Sequence, residues 1–520
     1  VKAAVDKVTK GIPGPLDDSG NWWDYPEDNV FTSCQLFQIL LPVACYLFLG
    51  LPLVELYFRR YSDSRDGERG LKSALCMSVF AVFMENLVYS IIFVDSVDFA
   101  SSISWTTIDS GTMVGIQKVG TATGTFIMFL IFLRDTEFWR TGGPSVYLIG
   151  FCIQTASVIT FAILGLSHVF FGLDGQLILT TVNMARLVGG LGGGLQISFG
   201  LQQSAHLVTG SARSLQNTRW FLGGCVGMGL GPLLASSASV MANTVKCGES
   251  TPSYEITIAL VAFLTVIQLP TFSKLRPVED VVDVGITGYG VESDRPRQTV
   301  VVLICLAMQV LRAMSMAAVE AAATELLRTH YDWSRRITGS VTSLVIFTMV
   351  PVQAVYEKTG GYRQAGKSIR SLLMCAIAGS AFMLISTATN LLCGCVLLLP
   401  TMALSSGLIM GRMQAHSLPD GSVLDLNKIT LFSLLLSDLI GRGFGPSMAR
   451  RSVSTGGQAS FARDQLLMAV SSLVLNEIAA FMAIPECKLE EVRKSGKSSE
   501  EERSLMAQDS AQDAIGAKST

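Results

Sequence analysis

Twelve stretches of about 20 mostly apolar residues, the length that crosses a bilayer as a helix, constrain this chain more than any other feature. They lie near 71–95, 111–133, 144–170, 177–201, 218–243 and 253–273, and again near 299–325, 338–356, 368–389, 391–413, 427–449 and 464–485. In hydrocarbon every backbone donor and acceptor must be satisfied within the protein, so runs of this length are helices. Of the 520 residues, 49% are hydrophobic and 15% charged, against about 25% charged in a typical soluble domain. The fold class that follows is an all-α polytopic membrane protein with 12 transmembrane helices.

The polar interval 274–298 divides the spans into an N-terminal six-helix bundle, 71–273, and a C-terminal six-helix bundle, 299–485. Residues 1–70 form an N-terminal region holding one more apolar run, 31–58, which is long enough for an extra spanning helix, with an interfacial or re-entrant helix as the alternative. The segment 486–520 is rich in Lys, Glu, Ser and Ala and reads as a disordered cytoplasmic tail. Orientation follows from Lys and Arg placement. Arg59, Arg60, Arg65, Arg69 and Lys72 put the loop before the first span in the cytoplasm, whereas 96–110 has no Lys or Arg. Alternation continues through the first bundle. Two outer loops of the second bundle break it, with Arg328, Arg335 and Arg336, then Arg450, Arg451 and Arg463. Early helices setting the orientation explain this exception, with anion attraction to an outer vestibule as the alternative.

The net charge of −2 argues against nucleic acid as a partner. Eleven cysteines lie mostly inside apolar runs without paired CxxC motifs, so neither a disulfide scaffold nor a zinc site is expected. Four histidines, with His206 in a cytoplasmic loop, suggest no metal. No P-loop, Gly-x-Ser-x-Gly elbow or His-Glu-x-x-His helix occurs, so neither an enzyme nor a cofactor is expected. The partners implied are the lipid bilayer and a small-molecule solute, with H+ as a candidate coupling ion.

Internal repeats tie the halves together. Gly227-Met-Gly229-Leu-Gly231-Pro232 in the fifth span matches Gly441-Arg-Gly443-Phe-Gly445-Pro446 in the eleventh. Gly190 and Gly194 in the fourth match Gly407 and Gly411 in the tenth. Trp105 precedes Gly111, and Trp333 precedes Gly339, by the same six residues. Such glycines let helices approach closely, and the prolines free a carbonyl and bend the axis.

Two pseudo-symmetric six-helix bundles with a Gly-rich, Pro-ended fifth helix (Gly223 to Pro232) resemble the major facilitator superfamily. The loop Arg134-Asp135-Thr-Glu137-Phe-Trp-Arg140-Thr-Gly142-Gly143 is a degenerate form of that superfamily's loop between second and third helices. Within it, Arg186 to Gly192, Arg213, Gly229 to Pro232, Glu320, Trp333-Ser334 and Pro351 are similar to SPX-linked vacuolar phosphate transporters. Where those transporters carry a basic pair in the fourth helix, this chain has Gly193-Gly194-Leu195-Gln196. The resemblance implies a carrier working by alternating access, with an anion such as phosphate as its solute. A neutral metabolite such as a sugar and a channel-like or receptor role on the same scaffold remain alternatives.

A charge at mid-membrane costs roughly 2.5–3.5 kcal/mol on insertion scales, so each needs a partner or a task. Glu85 and Arg186 are expected at similar depth on helices facing the central cavity, Glu85 as a proton acceptor or coupled switch and Arg186 as its counter-ion or the anchor for an anionic solute, with a static structural ion pair as the alternative. Arg312 and Asp438 are expected to pair in the second bundle, with the i,i+4 pair Asp438–Arg442 as the competitor. Glu320 reads as a coupling site or an outer vestibule residue, Glu325 as wetted, and Glu477 has no evident partner. Gln117, Gln154, Gln196, Gln309 and Gln353 supply neutral hydrogen-bonding groups, and Lys118 is expected to snorkel to the interface. Finally, Glu501-Glu502-Arg503-Ser504-Leu505-Met506 approximates an acidic di-leucine address read by adaptor proteins. Together with the likeness to vacuolar carriers it favours a vacuolar, lysosomal or other endomembrane over the plasma membrane.

Overall fold

A computed structural model describes residues 33–62, 66–103, 105–171, 175–208, 211–245, 253–272, 295–360, 365–418 and 422–483. The central interval 273–294 and the tail with its sorting-like sequence lie outside the described residues. Nine of the described helices are long and apolar enough to cross a membrane, one of them a continuous run from Leu426 to Met482 that holds two of the expected spans. The protein is an integral membrane protein with many spans.

The extra helix is α1, Ser33–Ser62. The first bundle comprises α2 (Asp66–Ser90), α3 (Thr107–Arg134), α4 (Gly143–Phe171), α5 (Gly175–Leu207), α6 (Ser211–Thr244) and α7 (Ser253–Leu264, prolonged to Phe272). The second comprises α8 (Arg295–Glu325), α9 (Arg335–Phe347, continuing after Thr348 as Met349–Thr359), α10 (Ala365–Met383) and α11 (Ala388–Ala415). It ends with α12, starting at Leu426–Leu436, and α13, residues 458–482. The expected loop 450–463 is largely helical: α12 runs on until Gly456 and Gly457, where Gly457 adopts φ 64° and ψ −157°. Only glycine reaches that conformation without strain, so the Gly-Gly pair alone makes the turn.

Polar caps set the helix starts. Thr106 and Asp109 form a capping box at α3, and the Ser334 hydroxyl accepts from the Ile337 amide at α9. Each cap directly follows the tryptophan, Trp105 or Trp333, that the repeat brought into register.

The Gly-x-Gly-x-Gly-Pro stretches occupy twofold-related positions. A Cβ at Gly227 or Gly231 would strike Phe83 or Ser90 of α2, and one at Gly441 or Gly445 would strike Ala313 or Ala317 of α8. The middle glycines face the opposite bundle: Gly229 packs on Ile346 and Phe347 of α9, and Gly443 on Val119 of α3. A Cβ at Gly339 would lie 3.1 Å from the Pro232 carbonyl, and one at Gly111 would lie 3.5 Å from the Pro446 carbonyl. The repeat of the fourth and tenth spans does not hold in packing. Gly190 and Gly194 lie against Gln117 and Thr121 of their own bundle, whereas Gly407 and Gly411 lie against Thr218 and Ser214 of the other. Small residues are needed at both places, but for different neighbours.

Helix α1 lies outside the first bundle on α2, α6 and α7, with most of its surface outward. The Tyr46 and Ser237 hydroxyls share a hydrogen bond at 2.6 Å, and Gln38 donates to the Val245 carbonyl at 2.9 Å. Cys34, at the end opposite the Arg59-rich loop, is disulfide-bonded. One such bond is no scaffold, and it fits that end facing an oxidising, non-cytoplasmic compartment.

Candidate functional site

A cleft separates the bundles at mid-depth. Its first-bundle wall carries Val82, Asn86, Ile197, Trp220, Phe221 and Gly224, and its second-bundle wall Arg312, Ala313, Met316, Met410, Leu434, Asp438 and Arg442. The contributing helices α2, α5, α6, α8, α11 and α12 come equally from both halves. About 30 Å³ is open to the centres of water-sized molecules, room for about two waters.

Two guanidiniums and one carboxylate line this space. Arg312 is held by the Met402 carbonyl and by the Gln309 side chain at 2.6 Å, with Phe221 under its plane. Its Nε has no partner, and neither has Asp438 Oδ2. The expected Arg312–Asp438 ion pair is absent among the described residues. Asp438 instead lies 4.0 Å from Arg442, because an i,i+4 spacing on one helix needs no cross-helix alignment. A π-helical turn over Ser437–Arg442 widens the helix here.

Behind the first-bundle wall sits a buried charge pair that differs from expectation. Glu85 binds Lys118, not Arg186. Lys118 Nζ donates to Glu85 Oε1 and to Asn86 Oδ1, both at 3.2 Å, and lies over the Tyr89 ring. Glu85 also accepts from Thr121 (2.9 Å), Gln154 (3.1 Å) and Gln117 (3.3 Å). Lys118 is wholly buried rather than snorkelling, since a carboxylate one helix away offers a better partner than the distant interface. Arg186 donates to the Met113 and Tyr89 carbonyls at 2.9 and 3.4 Å, in a separate small cavity beside Phe161. Asn86 links the pair to the cleft, because its Oδ1 also accepts from Arg442 at 3.0 Å.

Glu320 is buried, within electrostatic reach of Arg442 and Lys118, and its carboxylate accepts no hydrogen bond among the described residues. Glu325 is buried as well, not wetted, 3.9 Å from Arg450. Glu477 has a partner after all, Arg370 of α10.

The ends of the cleft are closed by contacts between bundles. At the outer end, Asp98 receives both nitrogens of Arg328 at 2.8 and 2.9 Å and Arg335 at 2.6 Å. Arg450 reaches Ser96 at 3.2 Å and also binds Ser110. Arg328, Arg335 and Arg450 therefore break the charge alternation because acidic and polar side chains of the other bundle hold them. At the inner end, His206 meets Asn427 at 2.6 Å, Asn217 donates to Gln414 at 2.8 Å, and Arg219 pairs with Glu357 at 3.0 Å. His206 thus belongs to the last turn of α5, stacked on Trp139, and not to a loop. No group of three or more potential metal-ligating side chains occurs among the described residues.

Comparison with solved structures decides the architecture. The crystal structure of the human organic anion transporter MFSD10 (TETRAN) superposes with a TM-score of 0.53 at 14% identity, covering 80% of this chain and all of that one. The fold is that of the major facilitator superfamily. No protein-family model matches the sequence, and no curated protein does.

Within this superfamily fold, sequence reasoning found Arg312, Asp438 and the buried state of Glu85 but missed three side chains. Lys118 was visible as a lysine in an apolar run, and its i+3 relation to Thr121 could have pointed it at Glu85. Arg442 was seen only as a local partner of Asp438. Trp220, whose indole N–H is buried without a partner at the cleft, carried no sequence signal.

Proposed function

We propose that this chain is a secondary carrier that moves a small polar solute, an anion first, by alternating access between its bundles. The cleft carries the reading: Arg312, Asp438 and Arg442 stand together on the second-bundle wall of a space that both halves line. Two fixed cations against one anion favour a solute with negative charge. The structural neighbour's description as an organic anion transporter supports the same sign. The likeness of the fourth and fifth spans to vacuolar phosphate carriers makes inorganic phosphate the first solute to assay.

Alternating access requires each closed end to open in turn. The Asp98–Arg328–Arg335 cluster and the His206, Asn217 and Arg219 contacts are the two closures. A proton is the candidate coupling ion, with the Glu85–Lys118 pair and Glu320 as the groups to carry it. Asn86 gives solute at Arg442 a route to Lys118, because both cations share its single carboxamide oxygen. An endomembrane address, vacuolar or lysosomal, rests on the 501–506 sequence and is tested by imaging the tagged full-length chain.

Flux in proteoliposomes tests the carrier. Saturable uptake that Arg312→Ala or Arg442→Ala cuts at least tenfold, with folding retained, is the expected result. An ohmic current would establish the channel-like alternative, and undiminished uptake in both variants would remove the arginines from the site.

A further inference from the structure

We infer that the solute is a small organic acid carrying a hydrogen-bond donor, a hydroxyl or an ammonium, beside its acidic group. This rests on the carrier reading and narrows it. Three polar atoms at the cleft are buried and unpartnered: Arg312 Nε, Trp220 Nε1 and Asp438 Oδ2. Two are N–H donors, one from each bundle, and the third is a carboxylate oxygen. Buried polar atoms without partners are costly, so a solute supplying all three contacts gains specificity over one that supplies two. An acidic group accepts from Arg312 and Trp220 together, and a neighbouring hydroxyl or ammonium donates to Asp438.

The rest of the wall holds the polar Asn86, Gln309, Ser437 and Arg442 and a larger apolar part, and the apolar part distinguishes an inorganic from an organic anion. Val82, Ile197, Phe221, Met316, Met410 and Leu434 offer no hydrogen bonds from their side chains. Phosphate turned toward them would leave oxygens desolvated and unpaired, whereas a carbon skeleton would be buried favourably. Because Trp220 and Arg312 stand on opposite bundles, one acidic group bound by both bridges the halves. That is the contact a solute needs in order to favour the closed conformer over either open one.

Matched acid pairs differing only in the donor test this: malate against succinate, lactate against propionate, phenyllactate against phenylpropionate and aspartate against succinate, with phosphate as the inorganic probe. Binding is read as the shift in thermal midpoint of the purified full chain, and flux in proteoliposomes. At least one donor-bearing acid binds tenfold or more tightly than its plain partner. Asp438→Asn, which removes the charge, narrows that ratio. Trp220→Phe, which removes the N–H and keeps a smaller aromatic ring in its place, weakens both members of a pair alike. Should Asp438→Asn not fold, the pair ratio in the unmodified chain and the Trp220→Phe pattern still decide. Equal binding within every pair, or phosphate transported better than any organic acid, overturns the inference and leaves the carrier standing. Absence of flux for every probe, phosphate included, overturns both.

Discussion

Replacing Lys118 with methionine would strip Glu85 of its buried cation and leave only neutral donors around it: Thr121, Gln117 and Gln154. Glu85 and Lys118 are 1% and 0% exposed, so solvent cannot take over the lost charge. Removing one partner of a buried ion pair costs about 3–5 kcal/mol. Across a bundle of roughly 200 residues each kcal/mol moves the melting midpoint by about 2–4 °C, so Lys118→Met lowers it by about 6–20 °C. The double variant Glu85→Gln/Lys118→Met removes both charges, and glutamine keeps an acceptor for Thr121, so most of the loss returns. The assay is the thermal midpoint of monodisperse protein in detergent, followed for the single and double variants. A Lys118→Met midpoint equal to the parent's, or a double variant no better than the single, refutes the pairing as a source of stability. If the double variant is stable and its transport keeps the parent's pH dependence, the pair is structural and not part of coupling; transport that loses that dependence assigns coupling to the pair.

Asp98→Asn weakens the hold of Arg328 and Arg335 at the outer end, so the cleft opens outward more often. A Met316→Cys reporter in the cleft should then react about tenfold faster with an impermeant maleimide from outside, a bias of about 1.4 kcal/mol; an unchanged rate removes the cluster as a closure. A Cβ at Gly120 would overlap the Leu187 carbonyl oxygen, which is backbone and cannot swing aside. Gly120→Ala should cost about 1–3 kcal/mol and reduce the yield of folded protein. At Gly366 the nearest atom to a Cβ is the end of the Arg412 side chain, at 3.0 Å, so Gly366→Ala should be tolerated in the same yield assay. Arg370→Ala breaks its pair with Glu477 on an exposed face and should leave the melting midpoint where it was.

Helical architecture was legible because span length and the glycine repeats are properties of single segments. The Gly227–Pro232 and Gly441–Pro446 stretches report backbone proximity, which needs only small residues at the right spacing. Ion pairing was less legible, since it depends on the rotation of each helix about its axis. Glu85 and Arg186 have similar depth, yet Glu85 turns toward α3 and meets Lys118, while Arg186 meets two carbonyls. The weak amphipathic pattern of membrane helices gives no reading of that rotation. Outer arginines misled for a related reason: Arg328 and Arg450 count as positive charge in a loop, but their partners lie hundreds of residues away.

The middle glycines of the two repeats, Gly229 and Gly443, put bare backbone where one half bears on the other. With side chains on one side of the contact only, Ile346 and Phe347 against Gly229 and Val119 against Gly443, nothing interdigitates, so each serves as a pivot around which the halves turn with little friction. Adding a methyl group at either pivot would therefore slow turnover in both directions alike and leave the affinity for the solute untouched.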